Sequence, residues 1–150
     1  MNRSTRWMLL LPLVGATATL TWLSSIPELA TPDLGFTWQD KFYHLVAYSV
    51  YGVAASIAVY GWLPTRALTT QRWVVLAIGC AFGGIDEVHQ SFVPGRDGSG
   101  YDWIADVLGT GLAVLILPRL HAVLAALLRR LIPDLIPDPI PDQVPDSRRR

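Results

Sequence analysis

Four stretches of about 20 mainly apolar residues govern what this chain can become, because that length of helix matches the hydrocarbon core of a bilayer. They run from about Trp7 to Ile26, Phe42 to Gly61, Trp73 to Phe92, and Tyr101 to Leu120, the last extending toward Leu128. Trp7, Trp22, Trp38, Trp62, Trp73 and Trp103 stand near their edges, the placement of an interfacial aromatic belt. Composition agrees: half of the 150 residues are hydrophobic (51%) and only 16% are charged, sparse charge for a water-soluble domain. The expected fold is all-α, a polytopic membrane bundle of four transmembrane helices. The first stretch follows Arg3 and Arg6 as a signal peptide would, but its apolar run is long and no clean A-x-A site follows, so it reads as a span.

Several function classes fall away. The formal net charge is zero, with no basic stripe interleaved with aromatics, so no nucleic-acid partner is expected. Cys80 is the single cysteine, which excludes an intrachain disulfide and any zinc site of Cys type; it reads as a small buried apolar residue. Four short spans without an inverted repeat give a transporter little support.

Basic residues set the expected orientation. Arg3 and Arg6 precede the first span, Arg66 and Arg72 separate the second and third, and Arg119, Arg129, Arg130 and Arg148 to Arg150 follow the start of the last exit. The other two loops hold only Lys41 and Arg96. The positive-inside rule then places both termini in the cytoplasm, in a multi-pass protein of the cytoplasmic membrane. Residues 1–130 form the membrane domain. Residues 131–150 repeat IPDL, IPDP, IPDQ and VPDS before three arginines; proline in every unit suits an extended, disordered tail with no catalytic role.

With that orientation, every strongly polar group within the spans lies in the outer leaflet. Lys41, His44, Tyr48 and Ala55 share a face of the second span at helical spacing. Gly79, Gly83, Asp86 and Gln90 share one on the third, with His89 beside it. Asp102, Asp106, Gly109 and Ala113 share one on the fourth, and Thr17, Thr21, Ser24 and Glu28 align on the first. Small residues four apart, as in "GCAFG" at 79–83 and at Gly109 with Ala113, let membrane helices approach closely. A lone carboxylate at the bilayer centre costs about 2.5 kcal/mol or more. These groups should therefore face the bundle, pair, or meet water in a shallow outward cavity.

The text "DKFYHLVAYSVYG" at 40–52 and "DEVHQSFVPGRDGSGYDWIADVLGTG" at 86–111 resembles the VanZ-like family. The family pattern reads D-K-x-x-H-x-x-x-Y, then D-E-x-x-Q-x-F-x-P-G-R, then an Asp with a polar residue four later and a glycine three beyond. It falls on Asp40, Lys41, His44 and Tyr48; on Asp86, Glu87, Gln90, Phe92, Pro94, Gly95 and Arg96; and on Asp102 and Gly109. The resemblance covers about residues 36–115. Asp106 stands where the family often has Asn, adding a negative charge that calls for a balancing partner. The resemblance implies an association with low-level resistance to lipoglycopeptide antibiotics such as teicoplanin, which carry an acyl chain.

Three readings of the polar cluster follow. In the first, Asp40, Lys41, His44, Tyr48, Asp86, Glu87, Gln90, Arg96, Asp102 and Asp106 bind an amphiphilic or lipid-linked cell-envelope ligand. Arg96 is the anion anchor, since its planar fork meets phosphate or carboxylate through two bonds. In the second, the carboxylates of Asp86, Glu87, Asp102 and Asp106 perform acid/base chemistry on envelope lipids, with Ser91 and Ser99 as the nearby hydroxyls. In the third, Lys41, His44, Asp86, Gln90, Arg96 and Asp102 form a closed salt-bridged network that pins the outer hairpin. Membrane lipids are the expected partners. The acidic and histidine residues are of metal-ligating type, but no spacing such as H-E-x-x-H is present, so neither a metal nor another cofactor is expected.

Overall fold

The computed structural model describes residues 7–131. Among them, four helices carry the fold: α1 (Leu11–Ser24), α2 (Gln39–Trp62), α3 (Leu68–Gln90) and α4 (Gly100–Leu131). The all-α bundle expected from the sequence is the one observed. Three of the helices are long and apolar enough to cross a membrane, over Gln39–Trp62, Leu68–Gln90 and Gly100–Leu117. At about 1.5 Å per residue, α2 and α3 are each about 35 Å long, beyond the roughly 30 Å hydrocarbon core. The first span is a shorter apolar helix of 14 residues. Pro12 lies in its first turn, and without an N–H it cannot bond the Met8 carbonyl, so the helix begins at Leu11 after a turn at Leu9 and Leu10.

The chain divides into two compact units, Met1–Leu117 and Pro118–Arg150. The first holds the bundle. Of the second, the described part is helical to Leu131, and the proline repeat tail lies outside the described residues.

Within the first unit the helices alternate in direction. Trp7 meets Trp62 edge to face at 4.9 Å, joining the start of the chain to the end of α2. His44 near the start of α2 meets both the end of α3 and the start of α4. Ser56, Ala55, Val75 and Val114 are fully or almost fully buried at the centre. Leu13, Ala16 and Leu20 of α1 pack on that core. Of the α1 face read from the sequence, Ser24 is buried and Thr17 half-buried on this same side, while Thr21 is exposed and Glu28 lies beyond the helix in a turn at φ 48°. Outward, the surface is apolar; Val50, Trp73, Ile85 and Leu108 are each more than half exposed. Such faces suit lipid rather than water.

Glycines set how closely the long helices approach. A Cβ at Gly83 would lie 2.9 Å from Asp106 Oδ2 and 3.1 Å from the Asp106 Cβ, and one at Gly79 would collide with the Thr110 side chain. The same holds for Gly109 against the α2 backbone at Leu45. The "GCAFG" segment therefore does what its spacing predicts: it brings α4 against α3 with backbone in place of side chain.

Candidate functional site

The polar cluster sits at one end of the bundle, where α2 begins, α3 ends and α4 begins. The α3–α4 connection is built to hold that end tightly. Val93, Pro94, Gly95 and Arg96 form a turn in which the Arg96 N–H donates to the Val93 carbonyl at 3.1 Å, with Gly95 at φ 74°. Pro at the second position and a left-handed Gly at the third make this a type II turn. Four bonds close the hairpin. The Ser91 N–H bonds the Glu87 carbonyl, the Val93 N–H bonds the Gln90 carbonyl, and the Ser99 hydroxyl accepts the Asp102 N–H as a helix cap. The fourth is the Ser99 N–H, which donates to Glu87 Oε2 at 2.6 Å. Farther down, the Trp103 indole N–H donates to the Cys80 carbonyl at 3.0 Å, tying α4 to α3.

An ion pair and a hydrogen bond link α2 to α4. Lys41 Nζ lies 2.8 Å from Asp102 Oδ1 and 3.3 Å from Asp40 Oδ2. The shorter contact, to Asp102, is the stronger of the two ion pairs Lys41 makes. One turn on, His44 Nδ1 lies 2.9 Å from Asp106 Oδ1 and 3.7 Å from Glu87 Oε1. Asp106 is completely buried, and Asp86, Glu87, Gln90 and Asp102 are all under a tenth exposed. Gln90 Nε2 donates to Asp86 Oδ2 at 3.1 Å along α3. Next to them begins the core: Tyr51 stacks on Phe82 at 4.8 Å, and Tyr48 leans against both.

Beside the cluster is a cavity of about 280 Å³. Leu20, Leu23 and Leu29 from α1 and the loop after it, with Val46 and Ala47 from α2, form an apolar wall. Asp40, His44, Asp86, Gln90 and Arg96 form a polar one. Arg96 Nε is buried without a hydrogen-bond partner, and Arg96 makes no ion pair among the described residues.

All ten residues singled out from the sequence thus come to one end of the bundle. They do not form one closed network. Lys41 with Asp102 and His44 with Asp106 are paired, Asp86 is held by Gln90, and Arg96 stands apart at the cavity. Ser91 donates its hydroxyl to the Val88 carbonyl and Ser99 caps α4, so both serine side chains serve the backbone. His89 points away from the cluster and meets the Ser25 hydroxyl at 2.9 Å. The sequence did not single out Thr110, fully buried one turn beyond Asp106, although its spacing extends that face. The α1 contribution to the cavity was hidden as well, since spacing does not say which helices are neighbours.

The family model described as VanZ/LLP1 matches residues 4–124. The chain belongs to the VanZ family. No curated protein and no solved structure matches it. The matched region takes in all four helix starts and every residue of the cluster, and a VanZ-like membrane protein is what the long apolar helices describe.

Proposed function

We propose that this VanZ-family protein binds the polar head of an amphiphilic or lipid-linked cell-envelope ligand, and that this binding underlies low-level resistance to lipoglycopeptide antibiotics of the teicoplanin type. The observation that carries the reading is the two-sided cavity with Arg96 on its wall, its Nε buried without a hydrogen-bond partner among the described residues. A buried donor without an acceptor is costly unless a ligand supplies one. Arg96 would take a phosphate or carboxylate, while Asp40 and Asp86 would accept bonds from hydroxyl or ammonium groups beside it. Pockets for whole small molecules run to about 300–1,000 Å³. This one is smaller, so it suits a head group, with the acyl portion lying along the leucines of α1. The arginine distribution supports an outer-leaflet position, with both termini in the cytoplasm.

The test is mass spectrometry of lipids co-purifying with wild-type and Arg96→Ala protein, with helix content measured alongside. The expected result is a lipid class enriched on the wild type and lost from the variant; equal lipid profiles in two folded proteins would end the reading. A second reading, a membrane-embedded acid/base enzyme on envelope lipids, draws support from the 2.9 Å His44–Asp106 contact with Glu87 beside it. Under it, Asp102→Asn or Glu87→Gln abolishes turnover and keeps ligand binding.

A further inference from the structure

We infer that His44, Glu87 and Asp106 form a binding site for a divalent transition-metal ion of the Mn²⁺ or Zn²⁺ kind. One ligand atom from each lies within 4.8 Å of the others, and the three residues come from three different helices. Metal–nitrogen and metal–oxygen bonds of about 2.1 Å place neighbouring donors about 3.0–3.4 Å apart. The observed 2.9 Å from His44 Nδ1 to Asp106 Oδ1 and 3.7 Å to Glu87 Oε1 bracket that separation. One imidazole with two carboxylates is a donor set that such ions accept.

Independent observations point the same way. Tyr48 is 1% exposed, and its hydroxyl has no hydrogen-bond partner among the described residues. It lies one turn below His44, within electrostatic reach of Asp106, Asp86 and Glu87. A buried donor so placed suits the outer sphere of a metal, where it would hold a ligating carboxylate or a metal-bound water. Glu87 Oε1 and Asp106 Oδ2 are likewise buried without hydrogen-bond partners. Charge balance adds to this. Among the described residues, Lys41 neutralises Asp102, Arg96 forms no ion pair, and His44 is the one basic side chain that Glu87 and Asp106 face. A divalent ion offsets both. A second group, Asp40 with His44 and Asp102, also has its atoms close together, but there the Lys41 ammonium already lies 2.8 and 3.3 Å from the two carboxylates.

This inference does not depend on the head-group reading, and its test separates the two. Full-length protein in detergent is stripped with chelator and titrated with Mn²⁺, following free Mn²⁺ by electron paramagnetic resonance, with Zn²⁺ as competitor. One Mn²⁺ per chain is expected, displaced by Zn²⁺. Glu87→Gln and Asp106→Asn should each weaken binding by about 10–100-fold or more, and Tyr48→Phe by about 10-fold, as outer-sphere changes do. Asp40→Asn and Arg96→Ala should stay within about 2-fold of wild type, whatever Arg96→Ala does to lipid binding. No Mn²⁺ bound at millimolar concentration, or binding that Glu87→Gln and Asp106→Asn leave unchanged, overturns the site. Should either carboxylate variant fail to fold, Tyr48→Phe decides: weakened affinity in a folded chain sustains the site, and wild-type affinity overturns it.

Discussion

Replacing Lys41 by methionine should cost more stability than removing its partner, and the structure says by how much. Asp102 is almost wholly enclosed, its side chain 6% exposed, whereas the Lys41 side chain is 36% exposed. Stripping one partner from a fully buried pair costs about 3–5 kcal/mol, because the remaining charge is stranded. Water reaching the Lys41 side screens part of that, leaving about 2–3 kcal/mol for Lys41→Met. In Asp102→Asn the ammonium keeps Asp40 at 3.3 Å and its share of solvent, so the loss falls to about 1 kcal/mol. The double variant buries a neutral amide beside a thioether and should lose only about 1–2 kcal/mol. The singles then sum to more than the double, a coupling of about 1–3 kcal/mol. Equilibrium unfolding in mixed micelles, followed by circular dichroism, measures all three. If Asp102→Asn proves the costlier single, or the two add without coupling, the picture of a half-shielded pair with one enclosed member is wrong.

The glycine seam gives a paired test by the same unfolding assay. Gly83→Val should destabilise by about 1–3 kcal/mol, the usual cost of overpacking, because its Cβ would press on Asp106. Gly84→Ala, whose nearest neighbour would be the Trp103 indole at 3.6 Å, should be close to neutral. In the turn, Gly95→Ala should cost about 1–2 kcal/mol or more, from its left-handed backbone and from a Cβ that would collide with the Glu28 side chain.

Much of this was legible in the sequence, and for a common physical reason. On α2, α3 and α4 the polar and small residues recur at helical spacing, and in lipid only a buried face can hold them. Asp102, Asp106, Gly109 and Ala113 accordingly are all buried together. On α1 that logic held in part: Ser24 is buried and Thr17 half-buried beside Leu13, Ala16 and Leu20, while Thr21 is exposed, as a hydroxyl that can bond its own helix permits. Partner choice was not legible either. His44 and Asp106 are 62 residues apart, and no spacing rule joins them. Nor could spacing show that Glu87 reaches both the turn at Ser99 and His44, or that Arg96 stays outside the ion pairs.

The distribution of charge among the helices also bears on how the chain is made. The side chains that pair with the enclosed carboxylates, Lys41 and His44, belong to α2, while the carboxylates themselves belong to α3 and α4. During synthesis α2 therefore emerges first. Each acidic segment that follows enters the bilayer with its counterpart already in place. An acidic residue entering alone would meet an insertion barrier of up to about 2.5–3.5 kcal/mol. The order of the helices along the chain makes the earlier one a template for admitting the later two.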